Sequence, residues 1–377
     1  MTQKNYTSWH ISALTRDQFA RLSIQEKLLF LCQLGHLAPN SHNSQPWRFS
    51  LDANSNIIDI YIDRNFVLPA SDIVGRQAII SIGCAIENMV VGASYLHAVP
   101  KLEIFEQKKS AVLPFTKEQH EHKRYVHVAR FHYIAKNNPL PLEHLYKSIF
   151  TRKVMRAEYD PLQLLPLTVI RQLESATDGK KTKLHIITDA VRRISISEFQ
   201  GQADGFVINS PRFSKELGAW LLPNDTDSHL GMPGAGFGLQ DEEAQRIHRG
   251  LIGESSLQPE DGLKFALAGK YSIEKSPFIG CITISKDEIS YWIEAGRSFE
   301  RMFLILESFN ISVAIHAGIV EVALVNRIFA AMLGTLRKPA VLFRAGIIKN
   351  EKDKKRPHSP RLLIEQVLIT KEDIRKS

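Results

Sequence analysis

The chain has 377 residues, 44% of them apolar and 23% charged, with a formal net charge of +8. The apolar content excludes disorder as the main state, and the length points to two domains or one fold built from two halves. The positive charge suits an anionic partner, yet no nucleic-acid-binding motif accompanies it, so no nucleic-acid partner is expected.

Residues 1–10 hold no apolar run of the kind a secretory signal needs. A helix is expected over 16–35, with Leu22, Leu28, Leu29 and Leu31 on one side and Ser23 and Glu26 spaced as a capping box. The densest apolar run, near 28–38, is too short to span a bilayer. Pro39 and Asn40 end the helix, and a polar loop leads to a short strand at 47–51. Alternation at Ile58, Ile60 and Ile62 predicts a second strand over 57–63. Residues 76–97 read as a helix that is apolar nearly all round, which places it between other elements. Its Ser81, Gly83, Ala85, Gly92 and Ala93 imply close helix–helix contact. Strands at 101–105 and 124–134 close the first half, and 137–141 is a polar joint.

In the second half, helices are expected at 142–150, 166–176, 191–202, 210–222, 288–309 and 321–332, with strands at 183–188, 278–285 and 340–346. Residues 224–261 are the least regular stretch, with glycine at 231, 234, 236 and 238. That run lacks the preceding strand of a dinucleotide fingerprint and reads as a mobile segment. Lys349, Lys352, Lys354, Lys355 and Arg356 alternate with Glu351 and Asp353, the pattern of a solvated loop. Cys32, Cys84 and Cys281 are too few and too scattered for a disulfide framework or zinc site. They read as buried, reduced thiols; no metal is expected, and the compartment is cytoplasmic. The mix argues an α+β fold, a buried and mostly antiparallel central sheet flanked by helices.

The stretch 38–49, Ala-Pro-Asn-Ser-His-Asn-Ser-Gln-Pro-Trp-Arg-Phe, gathers amide and hydroxyl side chains between two prolines. Turn chemistry alone accounts for most of these residues. A planar heteroaromatic ligand with alternating donor and acceptor edges is the other reading. Arg152 and Arg156 lie four apart and share a side if a helix starts there. Such a pair suits a phosphate, with an exposed basic face as the alternative.

The 38–49 segment resembles the flavin-binding loop of the nitroreductase family, whose pattern is Ala-Pro-Ser-x-x-Asn-x-Gln-Pro-Trp, with Asn40 in place of the usual Ser. Further segments place the resemblance in the Acg-like branch of that family. They include Asp63-Arg64, Gly75-Arg76, 80–85, 152–156, Asp204-Gly205, 292–297 and Arg344-Ala345-Gly346. The resemblance implies a nitroreductase-like fold in which one chain is a fused pseudo-dimer, with a first half at 1–136 and a second at 137–377. It implies an FMN cofactor held by Pro39, Asn40, Ser41, Asn43 and Gln45, with Arg152, Arg156 and Arg361 on the phosphate. Val154 stands where the family has a hydroxyl residue. Ala317 and Gly318 would present backbone N–H groups to the ring. His42 would border the pocket, and 224–261 would form a lid. No catalytic side chain is assigned, and His316 reads as structural. The implied activity takes electrons from NAD(P)H through the flavin to a quinone-like or nitroaromatic acceptor. The alternative is an FMN store with a covered flavin and little turnover. The pseudo-dimer would be a monomer, or would pair once more.

Overall fold

The computed structural model describes residues 4–114, 123–136, 141–256 and 258–377. The expected joint at 137–141 lies mostly outside them. The chain divides into two compact units. The first comprises Met1–Arg152, Glu288–Leu304 and Pro360–Ser377; the second comprises Lys153–Asp287 and Ile305–Ser359. The division therefore does not run at 136/137. The first unit continues to Arg152 and takes back a helix segment and the C-terminal tail.

In the first unit, β1 (Trp47–Asp52), β2 (Ile57–Asp63), β3 (Ala98–Ile104) and β4 (Tyr125–Ala135) form an antiparallel sheet in the order β1-β2-β4-β3. Phe49 faces Ile60 and Ile58 faces Phe131. The expected helix at 16–35 is two helices, Arg16–Ala20 and Ile24–His36. Ser23 explains the break: it caps the second one, accepting from the Glu26 N–H at 3.3 Å while its own N–H donates to Glu26 Oε2 at 2.8 Å. The Arg76–Tyr95 helix is buried along nearly its whole length. Among the described residues it alone is long and apolar enough to cross a membrane, and 89% of its most apolar window is buried inside the protein. It, not the 28–38 run, is the most extended apolar stretch.

Its small residues do what their size suggests. A Cβ on Gly83 would stand 2.2 Å from the Ile293 carbonyl oxygen, and one on Gly296 would stand 1.9 Å from that of Ile80. The Arg76–Tyr95 helix and the first-unit part of the Ile289–Ser308 helix thus touch backbone to backbone. Cys84 Sγ donates to the Gly296 carbonyl at this crossing. All three cysteines are free and buried.

In the second unit, β5 (Thr182–Ile187), β8 (Phe278–Ile284), β9 (Ser312–His316) and β10 (Lys338–Gly346) form a sheet in the order β5-β8-β10-β9, again antiparallel throughout. The short strands β6 (Leu221–Leu222) and β7 (Met232–Pro233) pair parallel to one another. The α+β expectation holds, with an antiparallel four-stranded sheet in each unit. Helices Ala190–Asn209 and Pro259–Glu274 pack together, the second of them unforeseen.

The 224–261 stretch is more ordered than its composition suggested. After β7 come a 3-10 turn, Gly234–Phe237, and a helix, Asp241–Ile252, with acids at 241–243 in its first turn and Gly253 at φ +84 closing it. Met232 and Leu251 join Ile208, Leu217 and Leu221 in a small apolar core. The glycine-rich run is therefore pinned by apolar burial on either side. Glu351–Lys355 is an exposed 3-10 turn with Lys354 paired to Glu351, as the charge pattern indicated.

Candidate functional site

The 38–47 loop is held from behind by the element that precedes it and the tail that follows it. Trp47 Nε1 donates to His36 Nδ1 at 2.9 Å. His36 Nδ1 must then carry the lone pair, so Nε2 carries the proton and donates to the Leu362 carbonyl at 2.8 Å. Burial keeps this imidazole neutral, its pKa lowered to about 3, with the Leu362 bond opposing and the Arg361 and Arg48 charges adding. The Leu362 N–H returns to Gln45 Oε1 at 2.9 Å, and the Gln45 N–H donates to Asn40 Oδ1 at 2.8 Å. Asn43 Nδ2 donates to the Pro360 carbonyl at 2.8 Å.

These bonds fix a backbone that side chains resist. His42, Asn43 and Gln45 have φ of 51°, 55° and 52°, in the left-handed region. Asn tolerates it; His and Gln do so at a cost of about 1–3 kcal/mol each, held because the surroundings over-determine them. Asn43 and Gln45 are buried, while Asn40, Ser41 and His42 keep partial exposure. The Ser41 N–H lies 3.4 Å from Ser81 Oγ, and Ser41 Oγ lies 3.2 Å from His42 Nδ1. Pro39 is buried beside this arc. The loop thus divides its roles. Asn43 and Gln45 hold the scaffold, and 40–42 form the outward arc.

Arg361 belongs to the scaffold as well. Its Nε donates to the His36 carbonyl at 3.1 Å, and Nη1 to Asn43 Oδ1 at 2.5 Å and the Pro360 carbonyl at 2.9 Å. Nη2 donates to the carbonyls of Leu37 at 3.2 Å and Ala38 at 2.8 Å. A guanidinium has five N–H donors, and all five are engaged. Burial lowers its pKa to about 9, with Arg152 adding and Glu300 opposing. Arg152 also donates to the Leu37 carbonyl, and its Nε pairs with Glu300 Oε1 at 3.0 Å, both side chains buried. Burial lifts the Glu300 carboxyl to about 7, against the pull of Arg152, with the Glu87 carboxylate adding to the rise. Glu87 in turn is held by Arg297 at 3.0 Å and Arg301 at 2.6 Å. Two arginines expected on a phosphate thus converge on the carbonyl that starts the loop.

Arg156 does not join them. Arg152 ends the Ser148–Thr151 helix, and the chain then runs extended, with Val154 bridged to Val313 and the Met155 N–H on the Val313 carbonyl at 2.8 Å. Four extended residues span about 13 Å, so the pair shares no helical face. Arg156 lies in the second unit, its guanidinium 4.3 Å over the Phe237 ring. Burial, with Arg344 and Arg356 nearby, lowers its pKa to about 10, against an opposing effect of Tyr159.

Ala317 and Gly318 follow β9 in the same unit, where the Ala317 carbonyl accepts from Val320 at 2.9 Å. A Cβ on Gly318 would stand 2.7 Å from Asp204 Oδ1, so glycine is required by a buried carboxyl. Gln200 Nε2 donates to that oxygen at 2.7 Å, and burial lifts Asp204 to about 7, the Gln200 bond opposing.

Sequence reasoning missed His36, Glu300 and Asp204 as parts of these arrangements. Their local signal was a polar or acidic residue on the apolar side of a helix, and Asp204 also stands in a segment that carries the family resemblance. Arg344, in the middle of the apolar 340–346 strand, gave the same kind of signal. No three His, Cys, Asp or Glu among the described residues are grouped to hold a metal.

No family model matches the chain. An uncharacterized protein of Mycobacterium tuberculosis is 31% identical over 86 residues, which is 22% of this chain and 24% of that relative's length. The "Putative NAD(P)H nitroreductase acg" of the same organism is 20% identical over 342 residues, 89% of this chain and 93% of that one. Among solved structures, a "putative nitroreductase" of Anabaena variabilis matches 92% of this chain and 91% of its own with 10% identity and a TM-score of 0.49. The FMN-dependent nitroreductase NfnB of Mycobacterium smegmatis, in complex with NADPH, matches 59% of this chain and 96% of its own with 12% identity and a TM-score of 0.38. The likeness to the Acg-like nitroreductases runs along nearly the whole chain.

Proposed function

We propose that this chain, similar over most of its length to the Acg-like nitroreductases, is an FMN-dependent oxidoreductase. It would take electrons from NAD(P)H and pass them to an electron-poor acceptor, a quinone or a nitroaromatic. The observation that carries this reading is the 38–47 loop, with three non-glycine residues at positive φ fixed by a chain of hydrogen bonds through His36, Gln45 and Leu362. Strain maintained in this way is typical of ligand-binding segments.

The donor set of the arc suits a flavin ring. Asn40 and Ser41 offer amide and hydroxyl edges that both donate and accept, and Pro39 offers an apolar edge. A bound flavin supplies the two-electron chemistry. The residues of this chain bind and orient. Pro39, Asn40 and Ser41 would hold the ring, and His42 would border the acceptor. Asn43, Gln45, Arg152 and Arg361 are positioning residues, because their polar atoms face the loop's own backbone and tail. A fixed arc would hold a bound ring in one orientation, the contribution that positioning makes to catalysis.

The purified protein is expected to show flavin absorbance and to release FMN on denaturation. A colourless protein that takes up no added FMN would falsify the proposal. Stopped-flow mixing with NADPH separates turnover from storage: fast bleaching of the bound flavin excludes a store.

A further inference from the structure

The Ala323–Met332 helix of the second unit carries apolar residues on both its sides. The inner side is accounted for. Phe329 lies in that unit's core, with Val325 and Met332 packed against the same cluster. Asn326 Nδ2 ties the helix down, donating to the Val320 carbonyl at 3.2 Å and the Pro339 carbonyl at 3.0 Å. On the outer side, Leu324, Arg327, Ile328 and Ala331 follow one another at helical spacing. Leu324 is 69% exposed and Ile328 40%. The helix closes on Gly334, at φ +64, with the Thr335 N–H on the Ala330 carbonyl at 3.1 Å. Leu336 follows in that turn and is fully exposed.

The turn is fixed, and its surroundings are basic. The Arg337 N–H donates to Thr335 Oγ1 at 3.1 Å. Arg337 Nη2 donates to the carbonyls of Gly179 at 3.0 Å and Lys180 at 3.1 Å, and Nη1 to that of Lys181 at 3.4 Å. Ser285 joins the same carbonyls, its hydroxyl on Lys180 at 2.9 Å and its N–H on Lys181 at 3.1 Å. The turns 178–181, 285–287 and 334–338 are thus bound together where β5 begins, β8 ends and β10 begins. They contain Lys180, Lys181, Lys286, Arg337 and Lys338 against Asp178 and Asp287. Asp178 Oδ1 accepts from the N–H groups of Lys180, Lys181 and Thr182 at 3.1, 2.8 and 2.9 Å, and Asp287 pairs with Lys338 at 2.8 Å. The three turns keep an excess of positive charge, and Lys180 and Lys286 are exposed.

We propose that the outer side of this helix and the 334–338 turn form a peripheral docking surface for an anionic lipid bilayer. Leu336 enters the headgroup boundary, and the basic turns meet the lipid charge. A bilayer of that kind matches both features of the surface, exposed leucines and a cationic rim. Nucleic acid would meet the charge and leave the leucines in water. A second copy docked about a twofold axis would set the basic turns against themselves. The proposal does not depend on the flavin reading.

The test mixes the full chain with vesicles of phosphatidylcholine, with or without phosphatidylglycerol, and measures the bound fraction by flotation. The parent is expected to bind the phosphatidylglycerol vesicles, to bind pure phosphatidylcholine far less, and to lose binding as salt is raised. Leu336→Gln should weaken binding about tenfold, the scale set by transferring one leucine side chain from water. Reversing Lys180 and Lys181 to Glu together should weaken it at least about tenfold. Leu162, 87% exposed and close to Asp160, whose N–H meets the Ile347 carbonyl beyond the other end of β10, is the control. Leu162→Gln should bind as the parent does. An environment-sensitive dye on Leu336→Cys should report an apolar surrounding only with the anionic vesicles; the native cysteines are buried. No preference for phosphatidylglycerol overturns the proposal. So does equal binding by Leu336→Gln, which would mean adsorption by charge alone. A dimer in sedimentation that Leu336→Gln turns into a monomer would show that a second copy covers the surface, and overturns it as well.

Discussion

Arg361 in the first unit and Arg156 in the second are the same residue type in opposite situations. Arg361 is surrounded by carbonyls and an amide oxygen, and each of its five N–H groups has an acceptor. Arg156 has an aromatic face and two further guanidiniums, and no acceptor among the described residues. A cation whose donors are all engaged holds the protein together; one with open donors is available to a ligand. The comparison teaches that a motif arginine takes its role from the acceptors within reach, which its sequence spacing does not report.

The comparison breaks most directly at Arg361. Arg361→Ala orphans several buried acceptors, each costing about 1–3 kcal/mol. Denaturant unfolding should show a loss of at least about 3 kcal/mol, with the tail at 360–377 opened to proteases. A loss below 1 kcal/mol would mean that the five bonds are not maintained in solution. Arg156→Ala is the counterpart. It removes one cation–π contact, worth about 0.5–1 kcal/mol, and relieves repulsion from Arg344 and Arg356. Its stability should stay within about 1 kcal/mol of the parent, measured by the same denaturant unfolding.

Gly296→Ala, at the helix crossing of the first unit, comes between these two in size. A methyl group 1.9 Å from the Ile80 oxygen forces the helices apart, and overpacking of this kind costs about 1–3 kcal/mol or more. Thermal unfolding measures it, and an unchanged midpoint would mean that the crossing is looser than described.

Asp204 sharpens the second unit through pH. Burial raises its folded pKa to about 7, above the ordinary value of 3.8. The folded state therefore holds this proton where the unfolded chain has released it. The resulting stability is full below about pH 4 and is lost as pH rises towards 7, at up to about 1.4 kcal/mol per pH unit. Asp204→Asn should lose that slope, so the stability difference between parent and variant should change with pH across this window. A parallel pair of curves would show that the carboxyl is hydrated. The smallest effect is expected in the exposed turn at 351–355. Lys354→Ala breaks a surface pair with Glu351 and should change stability by less than about 0.5 kcal/mol.

Much of the fold was legible because periodicity and capping act over a few residues. The Ile58, Ile60 and Ile62 alternation is strand β2, and the glycines and small residues of 76–97 mark a close helix crossing. The helices Asp241–Ile252 and Pro259–Glu274 were not legible, the first because it is mostly polar and charged and follows a glycine-rich run, the second because its apolar stripe is weak. Within the candidate site, the 38–47 loop announced itself through an unusual density of amide and hydroxyl side chains. Which of them hold the loop and which face outward was not readable.

Local sequence determined where helices begin, which strands alternate, and that 38–47 is a special turn, since those depend on neighbours a few residues apart. Tertiary structure decided the protonation of His36, the engagement of Arg361, the Glu300 partner of Arg152 and the place of Arg156 over Phe237. Each of these rests on groups tens to hundreds of residues away in the chain. Hydrogen bonding and desolvation depend on distance in space, and a sequence records distance only along the backbone.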